Sequence, residues 1–394
     1  MQVLSRARLL AVLVVFSWIA GCSGDDDASG TDPTPAVPIP TTPGADASPP
    51  PASPTPDRSP EPPRDSPTQE PHQTPRGPVT LAFAGDIHFE GHLESLLDDP
   101  DTALAPLAPV LAAADLAMVN LESAVGTGGS PEPKRFTFQA PPTAFDALAA
   151  AGVDVVTMAN NHAMDFGSDG FAETLAAASE AAEADDPLSV IGIGADRDDA
   201  FAPAIHEIRG NRVAVLGAST PDDPTADPTE HWAAGDDEPG VAIALDPDPL
   251  LDAVTAARDE ADVVVVYMHW GVQGERCPSD SQRTLATQLA TAGADVVVGS
   301  HTHRLQGAGL LDETYVAYGL GNTVWYTQSS EAASATGVLT LTVHDGRVID
   351  ENWDPARIGD DGLPEFTEGA EARDMTSDFA ELRECTDLDP GARL

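Results

Sequence analysis

Histidine, carboxylate and amide side chains occur in five short clusters, and each cluster directly follows a run of apolar residues. The clusters are Gly85-Asp86-Ile87-His88, Asn120-Leu121-Glu122, Asn160-Asn161-His162, His269-Trp270-Gly271 and Gly299-Ser300-His301-Thr302-His303. Carboxylates and imidazoles together with an amide oxygen are typical ligands of manganese, iron or zinc, whereas calcium prefers oxygen ligands alone. The residue types therefore indicate a site for transition-metal ions.

Two clusters contain potential ligands at positions i and i+2, namely Asp86 with His88 and His301 with His303. In an extended segment both members of such a pair point to one face, so each pair could chelate a single ion. Taken alone, each cluster has a simpler explanation: a histidine at a strand end is usually structural, and Asn160-Asn161 could cap the next helix. Five clusters that each follow an apolar run are better explained by one shared site.

The apolar runs before the clusters have the composition of buried β-strands. Seven runs rich in β-branched residues predict strands at Val79–Ala84, Leu116–Asn120, Val153–Met158, Val213–Leu216, Val263–Met268, Val296–Val298 and Thr314–Tyr318. Stretches rich in Ala and Leu predict helices at Thr143–Ala151, Phe171–Ala184, Pro249–Ala261 and Gln282–Ala292. This alternation predicts an α/β fold with a buried, mostly parallel core sheet. Because ligands gather at the carboxyl ends of such strands, the five clusters should converge.

Two further segments predict antiparallel hairpins. Ala204–Leu216 would turn at Gly210-Asn211, and Val338–Val348 would turn at Asp345-Gly346. Pairs of Gly with Asn or Asp favour the tight turns that join antiparallel strands. The sheets are therefore expected to be mixed.

In this order, the five clusters and Gly319-Leu320-Gly321-Asn322 resemble the motifs of the CapA family, over about residues 79 to 350. Members of that family are linked to poly-γ-glutamate capsule synthesis and resemble calcineurin-like metallophosphoesterases. The resemblance implies a four-layer α-β-β-α sandwich with two divalent metal ions at one edge. Manganese, iron or zinc would suit these ligands.

The resemblance also implies a role for each residue of the site. The first metal would be held by Asp86, His88 and His303, the second by Asn161, His269 and His301, and Glu122 would bridge both. His162 would be the catalytic residue, because it would protonate the leaving oxygen without binding metal. The two ions would clamp the phosphoryl oxygens and stabilise both attack and departure.

Four other polar residues belong to the motifs or lie near them. Asn120, Asn160 and Asn322 would support the ligands or contact the substrate. Lys134 is the only lysine in the chain and lies in a Lys-Arg-Phe-Thr-Phe stretch that is similar to a family segment. Its retention favours a contact with the substrate, and chance is the alternative.

The first residues have the pattern of an exported lipoprotein. Arg6 and Arg8 precede the uncharged apolar run Leu9–Ala20, which is too short to span a bilayer but fits a secretory signal. Ile19-Ala20-Gly21-Cys22 resembles a lipobox, so residues 1–21 are predicted to be a lipoprotein signal peptide and Cys22 its lipidated residue. The lipid would anchor the chain to the outer face of the cytoplasmic membrane. An ordinary signal peptide followed by a chance cysteine is the alternative.

Composition divides the rest of the chain into three parts. Residues 22–78 contain nearly half of the 36 prolines and almost no large apolar side chain, so they are predicted to be a disordered spacer. Residues 79–356 would form the CapA-like domain, and the acidic tail 357–394 would pack on it. The net charge of −46 excludes nucleic acid as a partner of the general surface and would also repel large anionic polymers.

Cys277 and Cys385 remain when Cys22 is assigned to the lipid. An even pair of cysteines in an oxidising compartment predicts a disulfide, which would fasten the tail across the rim of the metal site. Two buried free thiols are the alternative.

Two classes of function fit these features. The first is a two-metal phosphoester hydrolase that acts in the synthesis of capsule or another cell-envelope polymer. The second is a factor without catalytic activity that assembles, exports or tethers an anionic capsule polymer such as poly-γ-glutamate, together with capsule synthesis or export proteins. A binding module with an inactive site is a third possibility. The presence of His162 favours the hydrolase, because a purely structural metal site would not need it.

Overall fold

The computed structural model describes residues 76–221, 231–327 and 330–391. The strands are Val79–Ile87 (β1), Leu116–Leu121 (β2), Ala124–Val125 (β3), Gln139–Ala140 (β4), Val155–Thr157 (β5), Ser189–Ile191 (β6), Ile193–Gly194 (β7), Ala204–Ile208 (β8), Asn211–Pro221 (β9), Gly240–Val241 (β10), Val263–Gly271 (β11), Val296–Ser300 (β12), Ala308–Leu311 (β13), Thr314–Ala317 (β14), Asn322–Val324 (β15), Ala335–His344 (β16), Arg347–Ile358 (β17) and Pro364–Phe366 (β18). The helices are Pro100–Ala103 (α1), Ala108–Leu111 (α2), Thr143–Ala150 (α3), Gly167–Ala182 (α4), Arg197–Ala200 (α5), Asp248–Glu260 (α6), Asp280–Ala292 (α7), Glu331–Ser334 (α8) and Gly369–Glu381 (α9), with 3₁₀ turns at Gly91–Asp98 and Leu382–Cys385. The predicted signal peptide, Cys22 and nearly all of the spacer lie outside the described residues.

Two large mixed sheets form the centre of the domain. The first has the order β18-β17-β16-β1-β2-β5-β6, with β15 also paired to β1, and the second has the order β13-β14-β12-β11-β9-β8. In the first sheet β1, β2, β5 and β6 run parallel, and in the second β9, β11, β12 and β14 do. Antiparallel strands extend both sheets at their edges. The parallel strands therefore bring their carboxyl ends to a common edge.

Three apolar cores separate four layers. Along β11, Val265 and Tyr267 pack in the core between the two sheets, whereas Val264 and Val266 pack in the core beneath α6 and α7. A third core joins the other face of the first sheet to α3 and α4, for example through Phe171. Successive side chains of a strand point to opposite faces, so a strand covered on both sides reads as a continuous apolar run. The four-layer α-β-β-α fold with mixed sheets that the sequence predicted is confirmed.

The two predicted hairpins are present, and one turn differs from its predicted position. The first turn lies at Arg209-Gly210, with φ of 49° and 81°, and Asn211 already begins β9 opposite Ile208. The turn was therefore predicted one residue too late, since Arg209 adopts the left-handed conformation that Asn211 was expected to share with Gly210. The second turn lies at Asp345-Gly346 as predicted, with φ of 50° and 72°.

The carboxyl-terminal segment continues the domain. Strand β17 crosses the boundary expected at residue 356, and β18 pairs with it. Helix α9 follows, and its Phe379 stacks on Trp353 of β17 with 4.4 Å between ring centroids. Residues 357–391 thus extend the first sheet and contribute Phe379 and Leu382 to the core between the two sheets. Among the described residues, no helix has the length and apolar character required to cross a bilayer.

Candidate metal centre

A close contact between two backbones sets the position of the first cluster. Asp86 N–H donates to the carbonyl oxygen of Gly321 at 2.9 Å. A Cβ atom at Gly85 would lie only 1.9 Å from that oxygen, so the residue before the ligand must be glycine. The Gly-Asp pair of the motif therefore lets the end of β1 pass against the loop before β15.

One group of potential ligands is fully enclosed, and we call Glu122, His269 and His301, with Asn161 beside them, the sealed group. The ligand atoms of the first three lie within 4.8 Å of one another, and all three residues are buried. His269 Nε2 lies 2.7 Å from Asn161 Oδ1 and 2.9 Å from His301 Nδ1. Carboxylate, imidazole and amide atoms thus converge on one small volume, as ligands of a single ion do.

A second group shares Glu122, and we call Asp86, Glu122 and His303 the open group. Their ligand atoms also lie within 4.8 Å of one another. His303 Nδ1 is 3.5 Å from Asp86 Oδ2 and 2.8 Å from Asn322 Oδ1. The His303 side chain is 22% exposed, whereas the Asp86 side chain is fully buried. Solvent therefore reaches this group through His303.

Glu122 gives the most direct indication of a bound cation. Both of its carboxylate oxygens are buried and have no hydrogen-bond partner among the described residues. Burial raises the pKa of Glu122 well above its ordinary value, and the neighbouring Asp86 carboxylate raises it further. A buried carboxylate without partners is costly unless a cation lies beside it. The residues present therefore fit divalent metal ions on both sides of Glu122.

The electrostatics of the two carboxylates differ. Burial acts to raise the pKa of Asp86, but the hydrogen bond to His303, with smaller electrostatic contributions, outweighs it and holds that pKa below its ordinary value. Burial lowers the pKa of His269, and His301 lowers it further, so the imidazole is neutral and has a lone pair for a metal. Asp86 is thus preorganised as an anionic ligand.

Two asparagines hold the ligands in place. Asn120 Nδ2 donates to Asp86 Oδ1 at 2.8 Å, and Asn160 Nδ2 donates to Asn120 Oδ1 at 3.0 Å. Asn160 Oδ1 in turn accepts a hydrogen bond from the backbone N–H of His162 at 2.9 Å. The chain of amides links the ends of β1, β2 and β5, and partners of this kind fix the orientation of metal ligands.

His162 belongs to a buried chain of polar groups. Its Nδ1 lies 2.5 Å from Asp165 Oδ2, and the Lys134 ammonium group lies 2.6 Å from Asp165 Oδ1 and 2.5 Å from the Asn161 carbonyl oxygen. On the other side, His162 Nε2 lies 3.7 Å from Glu122 Oε1. Burial lowers the pKa of His162 to about 4, although the Asp165 carboxylate acts against this shift. Asp165 therefore orients the imidazole so that Nε2 faces the shared ligand.

His88 lies outside both ligand groups, in a cluster of aromatic rings. Its Nδ1 accepts a hydrogen bond from the Glu90 backbone N–H at 2.9 Å, so the proton of the neutral ring sits on Nε2. The ring stacks on Phe138 at 4.7 Å and meets Trp325 edge-on at 4.3 Å. A protonated nitrogen has no lone pair for a metal. The hydrogen bond to Nδ1 argues against His88 as a ligand of the first metal, but its buried Nε2 has no hydrogen-bond partner among the described residues, so the expected role stays a prediction.

The loop after β12 differs from the extended segment expected for His301 and His303. Their φ angles are 90° and 53°, in the left-handed region that residues other than glycine rarely adopt. The bend sends His301 to the sealed group and His303 to the open group. The two histidines therefore belong to different ligand groups. The spacing alone had suggested that both could chelate a single ion. Backbone strain of this kind is typical of functional sites.

Comparison with known proteins identifies the family. Residues 80–327 match the family model described as bacterial capsule synthesis protein PGA_cap. The chain belongs to this capsule synthesis family. Among relatives, the capsule biosynthesis protein CapA of Bacillus anthracis is 30% identical over 272 residues, which cover 65% of this chain and 62% of that protein. The PGA biosynthesis protein CapA of Bacillus subtilis (strain 168) is 30% identical over 263 residues, which cover 65% and 66%. The matched region thus spans less than two thirds of each relative.

Solved structures also resemble the chain, at low sequence identity. A hypothetical protein from Thermus thermophilus is 18% identical with a TM-score of 0.44, covering 71% of this chain and 99% of that chain. A novel phosphatase from Mycoplasma pneumoniae is 13% identical with a TM-score of 0.44, covering 76% and 97%. Likenesses with TM-scores of this size say nothing about the function of this chain.

The structure brings together most of the residues that the sequence singled out. In or against the two ligand groups lie Asp86, Glu122, Asn161, His269, His301, His303, Asn120, Asn160, His162 and Asn322. Lys134 contacts Asp165 and is only 10% exposed, so it supports His162 from behind instead of facing solvent. Sequence reasoning missed Asp165, although its position three residues after His162, just beyond the third cluster, was a usable signal.

Cys277 and Cys385 form a disulfide in the structure, with their Cα atoms 5.6 Å apart. Cys277 lies in the loop 272–279 between β11 and α7. In that loop Gly274 N–H donates to the carbonyl oxygen of Thr302, which lies between His301 and His303, at 2.8 Å. The bridge therefore connects the carboxyl-terminal segment to the rim of the metal centre.

Proposed function

We propose that this chain is a lipid-anchored surface protein whose metal centre hydrolyses a phosphoester during the synthesis of capsule or another cell-envelope polymer. The observation that supports hydrolysis most strongly is the position of Glu122, which belongs to both ligand groups while His162 Nε2 lies 3.7 Å from it. Two ligand groups with a common carboxylate and an adjacent imidazole form an arrangement that suits two-metal phosphoester hydrolysis.

The residues would divide the reaction between them. Manganese, iron or zinc ions held by the two groups would supply Lewis-acid stabilisation of the phosphoryl oxygens. A water oxygen forms the new bond to phosphorus as the bond between phosphorus and the leaving oxygen breaks. His162 gives a proton from Nε2 to that oxygen, the proton that the attacking water loses passes to solvent, and Asp165 keeps the imidazole aligned through Nδ1. An anionic substrate favours the protonated form of His162, which burial otherwise disfavours.

Hydrolysis of a generic aryl phosphodiester by the purified full chain, loaded with manganese, tests this proposal. We expect turnover in the wild type and a large loss in His162→Ala at unchanged metal content. Turnover equal to that of His162→Ala would contradict the hydrolase. Measuring metal content in parallel separates an inactive site from an empty one.

A second candidate is a role without catalysis, in which the centre helps to assemble, export or tether an anionic polymer. The relatives favour it: one is named a PGA biosynthesis protein, and a probable polyglutamine synthesis accessory protein of Mycobacterium tuberculosis is 29% identical over 219 residues. In this case removal of the metal would abolish binding of the polymer while no phosphoester is cleaved. Partners would then be capsule synthesis or export proteins.

The site of action would be the outer face of the cytoplasmic membrane. The lipobox-like segment that ends at Cys22 supports this placement, since a diacylated cysteine with a further acyl chain gives stable attachment. Expression in a bacterial host with labelled palmitate should give a labelled membrane protein. Cys22→Ser should lose both the label and the membrane fraction; a labelled Cys22→Ser protein would contradict the assignment.

A further inference from the structure

The ring of Phe138 lies flat against the imidazole of His162. Their centroids are 4.1 Å apart, and their planes differ by 11°. The opposite face of Phe138 stacks on His88, with 4.7 Å between centroids and 18° between planes. Phe138 is buried, so close packing on both faces holds its ring in one orientation. One face of His162 is therefore covered by a flat apolar ring that is itself fixed between two imidazoles.

The backbone of the same residue holds the carboxylate that orients His162. Phe138 N–H donates to Asp165 Oδ2 at 2.6 Å, and this oxygen lies 2.5 Å from His162 Nδ1. The Lys134 ammonium group holds the other oxygen, Oδ1, at 2.6 Å. Both oxygens of Asp165 are thus fixed by the segment 134–138, and such outer contacts set the direction of a hydrogen-bonded imidazole. Phe138 contacts both members of the pair, His162 through its ring and Asp165 through its backbone.

The position of Phe138 is tied to the shared ligand of the metal centre. Its carbonyl oxygen accepts a hydrogen bond from Ala124 N–H at 3.1 Å, and β4, which follows Phe138, pairs with β3. Ala124 begins β3 only two residues after Glu122. A short stretch of backbone therefore places the stacked ring relative to Glu122, the carboxylate that His162 Nε2 faces at 3.7 Å.

We propose that Phe138 is a positioning residue, whose ring fixes the plane of the His162 imidazole so that Nε2 points at the leaving oxygen. The hydrogen bond to Asp165 fixes one atom of the imidazole, whereas stacking on a flat ring fixes its plane. Proton transfer needs the donor nitrogen and the accepting oxygen within hydrogen-bond distance, and a small misplacement lowers the rate strongly. This inference rests on the proposed function, because Phe138 acts through the proton donor of that reaction.

The dependence of turnover on the leaving group separates a positioning role from a structural one. The manganese-loaded full chain is tested on methyl 4-nitrophenyl phosphate, whose leaving group departs without a proton, and on methyl phenyl phosphate, whose leaving group needs one. Phe138→Leu should lower kcat on the phenyl ester by roughly 10- to 100-fold and on the nitrophenyl ester by less than about threefold. KM and metal content should stay at the wild-type values. An equal loss on both esters would overturn the inference.

Three further variants serve as controls. Phe138→Met fills the buried volume without a flat face and should shift the ratio of the two rates in the same direction, so misfolding of one variant leaves the test intact. Phe136→Leu removes a half-exposed ring two residues earlier and should keep the wild-type ratio. In a His162→Ala background, Phe138→Leu should cause no further loss on the phenyl ester, because the two residues act as a unit. A further loss in that background would contradict the proposal.

Nuclear magnetic resonance tests the positioning of His162 independently of turnover. In the zinc-loaded full chain with nitrogen-15-labelled histidine, the proton between His162 Nδ1 and Asp165 should give a signal that is absent from His162→Ala. Phe138→Leu should speed exchange of this proton with solvent by roughly threefold to tenfold, and Phe136→Leu should not. Unchanged exchange in Phe138→Leu would overturn the inference. Faster exchange in Phe138→Leu, with no hydrolysis of either ester by the wild type, would contradict only the hydrolase.

Discussion

The two halves of the metal centre share Glu122 but differ in enclosure. In the sealed group, His269 and His301 are fully buried, and Asn161 Oδ1 lies 2.7 Å from His269 Nε2. In the open group, His303 is partly exposed, and His88, the expected additional ligand, has its proton on Nε2. One ion would thus have a complete set of protein ligands, and the other would have fewer.

This difference separates the roles of the two ions. A closed set of ligands is typical of a tightly held ion, whereas three protein ligands leave a position for water or substrate. Solvent also reaches the open group through His303, whose side chain is 22% exposed. The sealed group would therefore anchor the centre, and the open group would receive the substrate.

The largest effect is expected from removing the shared ligand. Glu122→Gln should lose both ions, whereas His301→Ala and His303→Ala should each lose about one. His301→Ala should lose the tightly held ion, and His303→Ala the one that exchanges faster. Elemental analysis after manganese loading and dialysis measures the counts. A Glu122→Gln protein with wild-type metal content would show that the two groups do not share this carboxylate.

The next largest effect concerns turnover. His162→Ala should lower kcat by roughly 10²–10⁴-fold, the usual contribution of a positioned acid or base, with both ions retained. The reason is that Nε2 faces Glu122 while neither ligand group includes His162. Steady-state kinetics and metal analysis of the same preparation check both statements. Loss of an ion from the His162→Ala protein would instead show that His162 is a metal ligand.

The next prediction concerns the disulfide, which connects the carboxyl-terminal segment to the rim of the metal centre. Changing Cys277 and Cys385 to Ser opens a loop with a sequence separation of 108 residues. The free energy of unfolding should fall by up to about 4.7 kcal/mol in the chain-entropy model. Denaturation of the metal-free proteins measures the difference. Two reactive thiols per unfolded, unreduced wild-type chain, with Cys22 excluded, would contradict the bridge.

Acid should destabilise the metal-free protein through the buried histidines. Burial lowers the pKa of His162 to about 4, below its unfolded value near 6.5. Between these values the unfolded chain binds the proton more readily, so stability falls as the pH is lowered from about 6.5 to 4, by up to about 1.4 kcal/mol per pH unit. Unfolding curves of wild type and His162→Gln should converge toward pH 4; parallel curves would contradict the shift.

The smallest effect is expected at His88. His88→Phe should keep the wild-type metal content, because Phe preserves the stacking on Phe138 and removes only the hydrogen bond that Nδ1 accepts from the Glu90 N–H. His303→Ala, the matched change in the same half, should lose an ion. Loss of an ion from His88→Phe would show that His88 binds metal and that the open group has a fourth protein ligand.

The sequence predicted the elements better than the local geometry of the site. Each cluster follows a strand that is buried on both faces, so the convergence of Asp86, Glu122 and His269 follows from sheet topology alone. The positive φ angles of His301 and His303 arise from how their loop packs against other loops, which no local pattern encodes. The tautomer of His88 depends on one backbone N–H two residues away. Such contacts become visible only in three dimensions.

Anomalous diffraction from manganese-soaked crystals of the protein tests the central claim most directly. The account predicts two peaks, both within coordination distance of the Glu122 carboxylate, one next to His269 and His301 and the other next to Asp86 and His303. The peak in the sealed group should remain after a brief treatment with chelator, and the peak in the open group should weaken first. A single peak, or two peaks that do not share Glu122, would contradict a two-metal centre built on this residue.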